Sequence, residues 1–256
     1  MSRRIDLAGT KNVDYDKVAE VYDQVRTGNP EMMHQMLNEV ILDRNSIVLD
    51  IGCGTANNTL LVSRTTHARV VGIDLSSGML HEAKKKAPEI HIAHASANHL
   101  PFGNSAFDLV FMTEVLHHLT DIPPVISEAF HVLRASGEFC IVTQSHEQID
   151  YRMTTRFFPA TAEIDKGRYP DIEVAQKHLR AVGFTDVRSK PFTFARVALG
   201  DEYLETVEKK GYSMLHKISE VDYQEGLKEL RAAYAVGESL EYAPRYTFIW
   251  GSKSTR

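Results

Sequence analysis

Apolar residues fall along this chain in short, nearly continuous runs. Ile47-Val48-Leu49-Asp50-Ile51, Val70-Val71-Gly72-Ile73-Asp74, Ile90–Ala95, Phe107–Thr113 and Glu138–Thr143 are short and of strand length. Between them, Thr55–Ser63, Ser76–Ala87 and Ile122–Leu133 read as helices. Ser76 and Ser77 are good cap residues for the second, and Pro88 closes it. Strand, helix and strand in alternation predict an α/β fold with a parallel sheet.

The flanks are less regular. Residues 12–28 predict an amphipathic helix with Tyr15, Val18, Tyr22, Val25 and Arg26 on one stripe; Gly28-Asn29-Pro30 ends it, and a second helix covers about 30–43. Downstream, Gln144–Tyr169 reads as irregular. Asp171 caps a helix over Ile172–Val182 that Gly183 stops, and Phe184–Val197 reads as a sixth strand. Two helical patterns follow, Asp201–Leu215 and Glu220–Val236, before a final strand at Arg245–Lys253.

Composition narrows the function. The 256 residues are 43% hydrophobic and 25% charged, ordinary for a globular protein, and suffice for one large α/β domain or a domain with an insertion. A net charge of -5 without a Lys/Arg-rich run gives no footprint for nucleic acid. The start, Met1-Ser2-Arg3-Arg4-Ile5-Asp6, lacks the apolar core of a signal peptide, and no segment reads as a membrane span. Cys53 and Cys140 form no paired framework, which points to a reducing cytoplasm. His117-His118 are adjacent and lack metal-ligand spacing, so no metal is expected.

The chemistry centres on Asp50-Ile51-Gly52-Cys53-Gly54-Thr55-Ala56. A glycine turn after a strand lets backbone approach a ligand, and Asp74, at the tip of the next strand, suits the two hydroxyls of a ribose. A dinucleotide fingerprint needs a third glycine where Asn57 stands, and Asp50 would repel a pyrophosphate, which disfavours an NAD-dependent oxidoreductase. The stretch resembles motif I of the class I S-adenosylmethionine-dependent methyltransferases, acid-x-Gly-x-Gly-x-Gly, with Ala56 in the last glycine place. That cofactor carries a sulfonium and an ammonium and no phosphate, which suits Asp50.

The resemblance implies a Rossmann-like, doubly wound, seven-stranded sheet, mostly parallel with an antiparallel last strand, plus a helical cap. It divides the chain into an N-terminal helical lid (1–44), a cofactor-binding core (45–197), a helical insertion forming a substrate cap (198–244) and the strand completing the sheet (245–256). The cofactor set it implies is Asp50, Gly52, Gly54, Asp74, Leu75, Met79, Ser96, Ala97 and Thr113, with Tyr15, Tyr22 and Arg26 from the lid; Arg26 would meet the methionine carboxylate. Ser96 stands where the family has an Asp on the adenine amino group, whereas the Ala97 amide keeps its role. Asp108 enters the fourth strand, as in motif IV, and Arg134-Ala135-Ser136-Gly137 takes the place of the Lys-Pro-Gly-Gly turn.

The function expected is methyl transfer from S-adenosylmethionine, leaving S-adenosylhomocysteine, to an oxygen, nitrogen or activated carbon of a small organic acceptor. His117 or His118 is the candidate general base, against the alternative that His-His-Leu merely begins a helix. His146, Tyr151, Arg152, Tyr212, His216 and Tyr246 lie in the variable parts that would enclose the acceptor. A protein that binds the cofactor or its product without turnover, and a macromolecular methyltransferase, are the other readings. Monomer and homodimer both remain open.

Overall fold

The computed structural model describes residues 28–255 together with Asp16 and Ala19, both helical. Seven strands form one sheet in the order β3-β2-β1-β4-β5-β9-β6. They are β1 Ile47–Ile51, β2 Arg69–Asp74, β3 His91–His94, β4 Phe107–Thr113, β5 Leu133–Thr143, β6 Thr185–Thr193 and β9 Arg245–Ser252. β9 alone runs antiparallel, hydrogen-bonded to β5 on one side and β6 on the other.

Alternation along the central strands builds two cores. Leu49 and Ile51 of β1 and Val110 and Met112 of β4 face one side, where Val125, Ile126 and Ala129 of α4 (Ile122–Val132) and Leu179 of α8 (Ile172–Val182) cover them. Val48, Leu109 and Phe111 face the other, with Met32, Met33 and Met36 of α1 (Pro30–Leu37) and Val62 of α2 (Asn57–Thr66). Side chains of this size contribute roughly 1.5–3 kcal/mol each on full burial. A strand covered on both faces therefore needs the continuous apolar run that β4 has.

Several boundaries differ from the sequence expectation. The 30–43 helix stops at Leu37, where Asn38 caps it. The Arg134–Gly137 turn is a bulge inside β5: Phe107 pairs with Leu133, Leu109 with Glu138, and Ser136 takes a φ of 64°. β6 ends at Thr193, and Val197–Ala198 (β7) pairs instead with Glu241–Tyr242 (β8), closing the base of the intervening segment. Gln144–Tyr169 is not irregular but holds α5 His146–Asp150, α6 Met153–Phe157 and α7 Ala160–Arg168. Helices this short leave no periodicity to read; α5 is instead fixed by a capping box of Ser145 and Gln148.

The segment between β7 and β8 carries α9 (Asp201–Glu208) and α10 (Glu220–Ala235). Val207, Leu215, Leu227 and Leu230 pack on Phe157 and Phe158 in a third core. Gly226 lets α10 sit directly on the Phe157–Phe158 backbone, where a Cβ would overlap the Phe157 carbonyl. Through α7, which touches the 3₁₀ turn Leu116–His118 after β4, this layer is attached at the carboxyl end of the sheet.

Candidate active site

The carboxyl ends of β1, β2, β3 and β4 meet in one place. The amides of Gly52 and Cys53 both donate to Ile73 O, at 2.8 and 2.9 Å, and Ala95 N donates to Asp74 O at 3.1 Å. Gly52 has a φ of 75°, and a side chain there would collide with Val115. Gly54, with a φ of 54°, has no atom of the described residues within 4 Å of where its Cβ would be. Its amide donates to Asp74 Oδ2 at 2.8 Å, while Ser76 N donates to Asp74 Oδ1 at 2.9 Å. Asp74 is therefore held from both sides, half-buried, with lone pairs left for further donors.

Leu75 beside it is 70% exposed, whereas Met79 is 2% exposed and packs inward from α3 (Ser77–Lys86). Ser96 Oγ accepts from Asn98 N at 3.3 Å, and Ser96 and Ala97 are both half-buried after β3. Thr113 ends β4 and accepts from Asn58 Nδ2 at 3.1 Å; Asn58 Oδ1 in turn accepts from Asn29 N at 3.1 Å. Asn58 was not signalled by the sequence, because only the register of α2 against β4 turns it toward Thr113. Tyr15, Tyr22 and Arg26 lie outside the described residues.

Asp50 is 1% exposed and points beneath α2, where Oδ2 accepts from Thr59 Oγ1 at 2.7 Å and Oδ1 has no partner among the described residues. Burial pushes its carboxyl up to about 7; the Thr59 bond pulls it down and the charge of Asp74 pushes it up. Ala56, in the last glycine place of motif I, is wholly buried and adopts a left-handed φ of 63° at the start of α2. The glycine turn is thus kept in shape without its third glycine. Asp108 is at the opposite end of β4, where it accepts from Ile47 N at 2.7 Å and pairs with Arg134. Its part is architectural.

Beyond Thr113, Glu114 takes a φ of 58°, and the chain turns into Leu116–His118. His117 is 8% exposed and stacks on Tyr169, with ring centroids 4.0 Å apart; His118 is exposed. Tyr169 Oη lies 3.3 Å from His117 Nε2 and 3.4 Å from Glu114 Oε2. The Arg152 guanidinium is 5.0 Å from the same ring and is bonded to Gln144 and Asp165. Arg168 also pairs with Asp165, which is fully buried. Burial opposes the charge on Arg152, yet the Tyr169 oxygen, Asp165 and Glu114 hold its guanidinium above the usual value. Tyr169 closes the stretch whose sequence reads as irregular, and nothing local announces its contact with a histidine 52 residues away. Among the described residues there is no cluster of three or more metal-ligating side chains. Among them too, no helix is long and apolar enough to cross a membrane.

Comparison with known proteins agrees with this arrangement. A family model described as a methyltransferase domain matches residues 49–141. The chain is 26% identical over 211 residues to phosphoethanolamine N-methyltransferase 1 of Arabidopsis thaliana, covering 78% of this chain and 41% of that protein. It is 29% identical over 144 residues to demethylmenaquinone methyltransferase of Symbiobacterium thermophilum, covering 51% and 57%. It thus spans roughly half the length of these curated relatives. Phosphoethanolamine N-methyltransferase 2 of Haemonchus contortus, solved with S-adenosyl-L-methionine, superimposes with a TM-score of 0.62 at 17% identity. That superposition covers 94% of this chain and 57% of that one, a likeness of fold. Motif, strand order and the match of residues 49–141 to a methyltransferase domain agree in likening this chain to the class I S-adenosylmethionine-dependent methyltransferases.

Proposed function

We propose that this enzyme moves a methyl group from S-adenosylmethionine to an oxygen, nitrogen or activated carbon of a small organic acceptor. The observation that carries the reading is Asp74, fixed by the Gly54 and Ser76 amides beside a glycine turn that no other described residue crowds at Gly54. The residues present fit the cofactor: Asp74 retains lone pairs for the ribose hydroxyls, and Asp50, where it is ionised, adds negative potential beneath the glycine turn for a cationic ligand. Leu75 offers an exposed apolar surface and Ala97 a backbone amide for the base.

The cofactor supplies a methyl group on a sulfonium, already an excellent leaving group, so much of the rate comes from alignment and exclusion of water. The chain's own work is therefore to hold the acceptor and, where its nucleophile arrives protonated, to take the proton. His117 is our choice as base over His118, because Tyr169 stacks on it and fixes its ring. The acceptor end, enclosed by the 146–169 helices and the segment above them, carries Tyr169, Arg152 and Glu114, a polar and aromatic set suited to a small molecule. Cys53 and Cys140, both buried free thiols, support placing the enzyme in the cytoplasm.

Calorimetric titration with S-adenosylmethionine and S-adenosylhomocysteine tests the reading. The parent should bind both, and folded Asp74→Ala should lose most of that affinity; unchanged affinity in Asp74→Ala overturns the site. Binding without methyl transfer to any of a panel of phenols, amines and carbon acids would favour the non-turnover reading.

A further inference from the structure

Helix α3 begins three residues after Asp74, and its first turn carries no acid of its own. The free amides of a helix N-terminus call for acceptors and favour negative charge. Ser76 is the N-cap, its Oγ accepting from Met79 N at 3.1 Å. The charge arrives from 60 residues upstream: Asp16 Oδ1 accepts from Ser76 Oγ at 2.6 Å and from Gly78 N at 2.8 Å. Only a glycine permits this approach, since a Cβ on Gly78 would lie 2.9 Å from Asp16 Cα and 3.0 Å from its carbonyl oxygen. The Ser76 and Gly78 bonds, in that order, and the charge of His94 hold the Asp16 carboxyl below its ordinary value.

Ser76 joins this contact to the cofactor site. Its hydroxyl donates to Asp16 while its amide donates to Asp74, and Asp74 in turn receives the Gly54 amide. The hydrogen bonds form one chain from Asp16 to the glycine turn. We propose that Asp16 is a positioning residue for the cofactor site: its carboxylate closes the N-terminus of α3 and fixes Ser76, which holds Asp74 in the orientation that receives the ribose. Asp16 thereby governs cofactor affinity from outside the matched methyltransferase domain, acting through Ser76 and Asp74. The inference rests on the proposed use of S-adenosylmethionine.

The test is calorimetric titration of S-adenosylhomocysteine into the parent, Asp16→Asn, Asp16→Ala, Gly78→Ala and the Asp16→Ala/Gly78→Ala double variant. Hydrogen exchange at the Gly78 amide is followed alongside. Asp16→Ala should weaken binding by about five-fold, the scale of a lost helix cap. Asp16→Asn should weaken it less, and the double variant no more than either single one. KM for the methyl donor should rise with kcat unchanged, and Gly78 exchange should quicken. Parent-like affinity in Asp16→Ala, or a loss that merely tracks the folded fraction, overturns the proposal. A parent that does not bind S-adenosylhomocysteine sinks the cofactor reading instead. Gly78 exchange then still judges the contact, and an unchanged rate in Asp16→Ala overturns it.

Discussion

Replacing Asp50 by asparagine should make the protein more stable at alkaline pH and leave it unchanged in acid. The folded carboxyl titrates at about 7 against an ordinary 3.8, chiefly because it is buried. Below pH 3.8 both states hold the proton, and Asp50 contributes no pH dependence. Between 3.8 and 7 the folded state keeps a proton that the unfolded state has lost, so stability falls as pH rises; above 7 the loss is complete. At about 1.4 kcal/mol for each pH unit of that window, the ceiling is about 4 kcal/mol. Relaxation around the charge brings the expected gain for Asp50→Asn to about 2–4 kcal/mol at pH 8.5. Asparagine keeps an acceptor for Thr59 and removes the buried charge, so the geometry beneath α2 is retained. Urea unfolding of parent and variant from pH 4.5 to 8.5 gives the difference directly, because every other titrating group cancels. A difference that is flat with pH, or a variant less stable at pH 8.5, refutes the reasoning. The same variant should bind S-adenosylmethionine more weakly, which would mark the carboxylate as a cost in stability retained for function.

Ala56→Gly should raise stability by about 1 kcal/mol in chemical denaturation, because the left-handed φ of 63° strains a residue with a Cβ. Gly52→Ala should cost about 2–3 kcal/mol through its positive φ and its overlap with Val115. Adding Val115→Ala should restore only the steric part, read as a partial recovery of the urea midpoint. Arg152→Met should cost about 3 kcal/mol by leaving the buried Asp165 with Arg168 alone. A parent-like midpoint for Arg152→Met would mean the pair contributes nothing net.

Where the chain writes its structure locally, the sequence is readable. Phe107–Thr113 forms a strand with the predicted ends because it is apolar throughout and lies beneath both layers. Ile172–Val182 is bounded as expected, since Asp171 bonds its first amide and Gly183 supplies a φ of 116° at its end. The late return of the last strand is also visible, because Arg245–Ser252 is the remaining apolar run. What escaped notice is set by distant partners. The Arg134–Gly137 bulge depends on pairing with β4, and α6 is ordered by Leu227 and Leu230 far along the chain. At the candidate site, the glycine turn and Asp74 stand out as a local motif. Tyr169, Asn58 and the contact of Asp16 with Gly78 exist only once the chain has folded.

The position of β9 bears on how the molecule is made. It lies between β5 and β6, and Gln144 at the end of β5 bonds the Arg245 carbonyl across 101 residues of chain. On a ribosome, β5 and β6 are therefore both synthesised well before the strand that joins them. Until Arg245–Ser252 emerges, β5 keeps an open edge on its far side, and Phe248, Ile249 and Trp250 have yet to fill the two cores. Such late, long-range pairing slows folding and leaves sticky edges exposed to neighbouring nascent chains. Ribosome-stalled chains ending just short of Arg245 should thus be the species that chaperones engage.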